Sequence, residues 1–110
     1  MGSPNEITAR ELKASLDNGD KIHLLDIREP EEHQTCTLEG AEHIPMLQLF
    51  AGLQVTAADR EEPLVVFCHH GIRSLQAVEF LTMQGFQNVR SLSGGIDGWA
   101  LEIDAKLPRY

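Results

Sequence analysis

Leu64-Val65-Val66-Phe67-Cys68-His69-His70-Gly71-Ile72-Arg73-Ser74 is the stretch that decides how this chain folds. Leu64 to Phe67 is continuously apolar and includes two β-branched valines, the pattern of a strand buried on both faces of a parallel sheet. A polar loop with one glycine follows, and then the apolar spacing becomes helical. Leu75, Val78 and Leu81 or Thr82 share a face, Ala77 and Phe80 flank it, and Gly85 is placed to end it. In open α/β sheets ligands collect beyond the carboxyl ends of the strands, and Cys68 stands at that place.

Elements on either side extend the same alternation. Thr8-Ala9-Arg10-Glu11 reads as a capping box, after which Leu12 and Leu16 share a helical face and Gly19 closes the helix. Ile22 to Ile27 is a second apolar run and predicts a second buried strand. Pro30 suits the first turn of a short helix beginning in Glu29-Pro30-Glu31-Glu32. Glu42 to Pro45 allows only a brief strand, since Pro45 cannot donate to a ladder. Met46 to Ala51 reads as a short helix and Thr56 to Glu62 as a loop. Asn88 to Leu92 reads as a strand, Gly94-Gly95 as a turn, and Ile96 to Leu101 as a short helix anchored in the core by Trp99. Strands alternating with helices predict an α/β fold, a parallel sheet covered on both faces.

Composition bounds the function. The chain has 110 residues, the size of one domain, with its core expected over about residues 5–103. Its net charge of −8 argues against a broad basic face for nucleic acid or an anionic membrane. A 42% hydrophobic share with 24% charged residues is a globular balance. Two cysteines, Cys36 and Cys68, cannot form a disulfide framework. No apolar stretch approaches the roughly 20 residues of a membrane span. The first residues lack the basic-then-apolar order of a signal peptide, and Met1-Gly2-Ser3 reads equally as native or as an expression scar. The expectation is a cytoplasmic protein with reduced thiols.

The loop after the strand carries the chemistry. Gly71 permits a tight turn whose successive N–H groups form an anion-binding nest, backed by the N-terminus of the following helix. The same field stabilises a thiolate, and Arg73 adds a permanent positive charge. A cysteine ending a strand is by itself most often a small buried hydrophobe. The combination Cys68-x-x-Gly71-x-Arg73 between strand and helix points instead to a nucleophile at neutral pH.

Cys68-His69-His70-Gly71-Ile72-Arg73-Ser74 resembles the active-site loop of the rhodanese-like domains, the single-domain sulfurtransferases. The resemblance covers almost the whole chain. Asp26-Ile27-Arg28-Glu29-Pro30-Glu31-Glu32 resembles the family's Asp-x-Arg-x-x-x-Glu segment, and Gly40-Ala41-Glu42-His43-Ile44-Pro45 its Gly-Ala-x-x-Ile-Pro segment. Gly94-Gly95-Ile96-Asp97-Gly98-Trp99 resembles its Gly-Gly-x-x-x-Trp. Where the family usually carries Gly-His-Ile-Pro ahead of the glycine–alanine pair, this chain has Cys36-Thr37-Leu38-Glu39, so the turn near Cys36 is expected to differ. The resemblance implies a central, mostly parallel five-stranded sheet flanked by helices on both faces.

It also implies a reaction. Cys68 takes the sulfane sulfur of thiosulfate or a similar donor, the persulfide is held by backbone N–H groups of residues 69–73, and cyanide, a thiol or a protein accepts the sulfur. This two-step covalent route needs no metal or organic cofactor. The six-residue span from Cys68 to Arg73 supports sulfur over phosphate chemistry. Tyrosine phosphatases and their relatives of this fold use a loop one residue longer, wide enough for a tetrahedral oxyanion. A phosphatase also needs a general acid, for which Asp26 or Glu32 could be offered. The remaining alternatives are a sulfur relay to a partner protein and a non-catalytic interaction module.

The supporting residues are Asp26, Arg28, Glu32 and Ser74. Asp26, Arg28 and Glu32 read chiefly as scaffold, with Arg28 and Glu32 pairing with each other or with loop backbone. His69, His70 and Ile72 line the expected pocket; the preferred reading is that the histidines serve through their backbone. Being adjacent, with no third ligand at a suitable spacing, His69 and His70 do not make a zinc site. His23, His33 and His43 read as structural or exposed. Cys36 is either a resolving thiol for oxidised Cys68 or an idle one, the latter preferred. Glu31-Glu32 and Glu61-Glu62 read as solvated surface.

Overall fold

A computed structural model describes residues 4–56 and 59–110. The Met1-Gly2-Ser3 question, and the middle of the loop expected over Thr56 to Glu62, lie outside the described residues. The elements run β1 (Glu6–Ile7), α1 (Ala9–Asp17), β2 (His23–Asp26), α2 (Pro30–Thr35), β3 (Glu42–His43), α3 (Met46–Phe50), β4 (Leu64–Phe67), α4 (Ile72–Met83), β5 (Val89–Leu92) and α5 (Gly95–Glu102). The sheet has five strands in the order β1-β5-β4-β2-β3, and every pairing is parallel.

Local chemistry sets the ends of these elements. Thr8 Oγ1 accepts from Glu11 N at 3.1 Å and Glu11 Oε1 accepts from Thr8 N at 2.9 Å, the reciprocal box that starts α1. Such a cap stabilises a helix by about 1 kcal/mol. Pro30 occupies the first turn of α2, where its missing N–H costs nothing. Alternation along the strands sends Leu25, Leu64, Val66 and Cys68 to one face, against Leu49 of α3 and Ala77, Val78 and Leu81 of α4. Leu24, Val65, Phe67 and Leu92 face the other way, against Leu12 of α1 and Ile96 and Trp99 of α5.

Two expectations shift. The buried face of α4 is Ser74, Ala77, Val78 and Leu81, with Leu75 only half-buried, because Ser74 is turned inward to a polar partner. Strand β1 carried no periodic signal, since two residues cannot show one. It is held by pairing Glu6 and Ile7 with Ser91 and Leu92, extended by Ser91 N to Asn5 O at 2.7 Å and Ser93 N to Ile7 O at 2.8 Å. No helix among the described residues is long and apolar enough to cross a membrane.

Candidate active site

Four polar or charged residues are buried among those described: Asp26, Arg28, Ser74 and Ser91. Burying such groups costs free energy unless each finds partners, so their grouping marks a candidate site. All four surround the carboxyl end of β4. Asp26 is in register with Phe67, the Arg28 guanidinium lies 5.6 Å from the Phe67 ring, and Ser74 and Ser91 stand behind Cys68.

Cys68 is 1% exposed, at the floor of a depression of about 300 Å³ lined also by His69, His70, Ile72 and Arg73. Helix α4 has Gly71 at its N-cap and no side chain of that residue to cap it. The cysteine sulfur takes the role instead: Sγ accepts from Gly71 N at 3.1 Å and Ser74 N at 3.4 Å. The amide donors that a helix start leaves unsatisfied, and the positive end of its dipole, therefore converge on this sulfur. Ser74 Oγ lies 3.4 Å from Sγ and 2.6 Å from Ser91 Oγ, so the serine pair supplies a further hydroxyl to the same place.

The loop is fastened from α5. Ile96 N donates to Cys68 O at 2.9 Å and Asp97 N to His69 O at 3.1 Å. This close approach explains Gly95, which has φ +62°. A β-carbon there would overlap His69 O and come within 2.5 Å of Cys68 O. Gly71, at φ +98°, is likewise in the region that favours glycine.

Behind the loop is a buried strut. Arg28 donates through Nε to Asp26 Oδ1 at 2.8 Å and through one terminal nitrogen to Asp26 Oδ2 at 2.6 Å. It also reaches Cys36 O at 2.5 Å, Glu32 O at 3.2 Å and Tyr110 Oη at 2.8 Å. Burial pushes the Asp26 carboxyl up, but hydrogen bonds from Arg28 and His33 outweigh it and hold it below its ordinary value. Thr37 Oγ1 donates to Asp26 Oδ2 at 3.2 Å. At Cys36 the strut uses only the backbone carbonyl, in an extended residue.

Several expectations are corrected here. Arg28 pairs with Asp26 rather than with the Glu32 side chain. Glu32 is not solvated surface: it accepts from both terminal nitrogens of Arg73 at 3.0 and 3.1 Å and from Tyr110 Oη at 2.7 Å. The Arg73 hydrogen bonds hold the Glu32 carboxyl down at about 2. Arg73 therefore reaches the pocket as one half of an ion pair, not as a free charge. Cys36 packs with the α1/α5 face and Cys68 with the α3/α4 face, which separates the two thiols by the sheet. The His33 and His43 rings stack at 4.2 Å, with His33 Nδ1 2.9 Å from Asp26 Oδ2, a structural role of the kind expected for them. A third ligand type does stand beside His69 and His70. Asp97, brought by α5, has a carboxylate oxygen within 4.8 Å of ligand atoms of both rings, although Arg109 already engages both of its oxygens at 2.8 and 3.2 Å. Ser91, Asp97 and Tyr110 were not singled out in the sequence. None lies in a periodic or motif position that marks a contact with the loop.

The Glu32 ion pair has a consequence for acid stability. A carboxyl held down by folding stabilises the native state above its unfolded value of 4.5, and that contribution is lost as the pH falls toward about 2. Wild-type protein is expected to lose stability over that window in urea titrations, and Glu32→Gln to lose distinctly less. Equal losses would mean that the pair contributes nothing to the native state.

The rhodanese-like domain family model matches residues 8–102, and the chain belongs to that family. It is 35% identical over 79 residues to the thiosulfate sulfurtransferase GlpE of Vibrio cholerae, covering 72% of this chain and 73% of that protein. It is 33% identical over 109 residues to the adenylyltransferase and sulfurtransferase MOCS3-2 of Zea mays, covering 94% of this chain. The chain spans about a quarter of that longer protein, 23% of its length. The human single-domain sulfurtransferase TSTD1 superposes with a TM-score of 0.78 at 30% identity, over 92% of this chain and 98% of that one.

Proposed function

We propose that the chain acts as a single-domain sulfurtransferase through a Cys68 persulfide. The observation that carries this reading is the sulfur of Cys68 standing as the cap acceptor of α4, with Gly71 N at 3.1 Å and Ser74 N at 3.4 Å. Donors so placed can hydrogen-bond a sulfur that carries negative charge during the reaction. The Cys68 thiolate attacks the sulfane sulfur of thiosulfate. A Cys68–sulfur bond forms, the bond to the sulfonate sulfur breaks, and its electron pair leaves with sulfite. An acceptor (cyanide, a thiol or a protein thiol) then attacks the outer sulfur, and the electron pair of the cleaved bond returns to Cys68. Kinship with GlpE supports thiosulfate as a donor, and the free thiols suit a cytoplasmic setting. His69, His70, Ile72 and Arg73 bound the substrate, with His69 serving as a neutral ring. Burial and then the neighbouring His70 hold the His69 imidazole below its ordinary value.

Intact-mass measurement after thiosulfate treatment tests the reading. A gain of about 32 Da, lost on addition of cyanide, is expected of a persulfide. No gain with thiosulfate or with a low-molecular-weight persulfide would overturn it.

Arg73→Ala is expected to raise the KM for thiosulfate by about tenfold, with the cyanide step little changed, as for a charge that contacts only the anionic donor. Steady-state kinetics in both substrates would show it. An unchanged donor KM would reduce Arg73 to a partner of Glu32.

A further inference from the structure

Residues 109–110 lie outside the 8–102 span matched by the family model, yet they are fastened to the rim of the Cys68 depression. The Tyr110 ring stacks on His69 with centroids 3.9 Å apart and planes 11° from parallel. Its hydroxyl donates to Glu32 Oε2 at 2.7 Å, and Glu32 is the carboxylate that holds Arg73. Arg109 grips both oxygens of Asp97, whose carboxylate also faces His70 Nε2 at 3.8 Å. His69, His70 and Arg73 are thus each held by this pair of residues, either directly or through one carboxylate. Ile72, also on the rim, is left 73% exposed and marks the open side.

We propose that Arg109 and Tyr110 form a strap that decides which sulfur acceptors reach Cys68, passing small nucleophiles over Ile72 and obstructing bulky thiols. The reasoning is steric and energetic. An acceptor thiolate must align with the Cys68–sulfur bond that it breaks, forming a new S–S bond while the electron pair returns to Cys68. With Tyr110 seated on His69, only a narrow nucleophile gains that line. The outer fastening, at Arg109, is weak enough to give way. The Arg109 side chain is 54% exposed, and an ion pair so placed is worth little and is screened by salt. A cognate protein thiol that competes for Asp97 or Glu32 would displace the strap and admit itself.

For acceptors the proposal rests on the sulfur-transfer reading, but its physical core does not, and labelling tests that core without turnover. The rates at which iodoacetamide and pyrenyl maleimide modify Cys68 are followed by mass spectrometry in wild type, Arg109→Ala and Arg109→Ala/Tyr110→Ala. The buried Cys36, in the other core cluster, serves as the internal reference. The double variant is expected to raise the maleimide-to-iodoacetamide rate ratio at Cys68 by about tenfold. The single variant, which keeps the Tyr110 contacts with Arg28 and Glu32, is expected to lie between. Cys36 should be unaffected. A ratio unchanged within about twofold, or a parallel rise at Cys36 that signals general loosening, overturns the strap. In turnover, the same double variant should raise the ratio of kcat/KM for a bulky thiol to that for cyanide. Persulfide formation without this split would count against the strap alone, and absence of persulfide in every variant against the sulfur-transfer reading alone.

Discussion

Cys68→Ser is expected to lose thiosulfate-to-cyanide transfer by at least about four orders of magnitude while keeping its fold. The substitution changes one atom at a 1% exposed position and leaves a group that can still accept from Gly71 N and Ser74 N. What it removes is the polarizable nucleophile and the possibility of an S–S bond. Among the described residues the side chain hydrogen-bonded at that spot is Ser74, itself paired with Ser91, and neither hydroxyl is a base that could activate a serine. Thiocyanate production measures the loss, and thermal unfolding should move by only a few degrees, as for a conservative buried change. Wild-type transfer by the serine variant would mean that the sulfur passes through another group.

Arg28→Ala should be the most destabilising single substitution in the scaffold, by about 3–5 kcal/mol. The guanidinium is wholly buried and is the ionic partner of an Asp26 carboxylate that is itself 0% exposed. Removing it also strands the carbonyls of Cys36 and Glu32 and takes away the donor to the Tyr110 hydroxyl. A domain of this size has roughly 5–15 kcal/mol in all, so the loss is a large part of the total. Urea unfolding would measure it, and the Asp26→Leu/Arg28→Met pair should recover part of the loss by leaving no charge alone. A cost below about 1 kcal/mol for Arg28→Ala would show that the strut is dispensable.

The two substitutions divide the site between chemistry and support, and that division was legible to different degrees. Motif and periodicity agreed at β4, the loop and α4, because a continuous apolar strand, a positive-φ glycine and a helical face are each consequences of local residue types. Asp26, Arg28, Glu32 and Ser74 were recognisable as neighbours of the loop. Their pairings were not. Whether Arg28 turns to Asp26 or to Glu32 depends on which carboxylate the sheet and α2 bring to its guanidinium, and both lie within four residues of it. Glu32, beside Glu31 in an acidic run, looks like surface until Arg73 arrives from α4. Strand β1 was silent because it exists only by virtue of β5.

Sequence by itself determined the α/β alternation, the position of a cysteine at a strand's carboxyl end, and the family whose four motifs recur in order. These rest on apolar period, glycine placement and residue type, all encoded within a few neighbours of each position. Tertiary structure alone decided that the cysteine sulfur caps α4, that Arg73 meets the pocket already paired with Glu32, and that Arg109 and Tyr110 lie across its rim. Those are contacts between groups distant in the chain. Which of several possible partners a charged side chain takes is settled by where the packed sheet and helices hold it, not by its own spacing in the sequence.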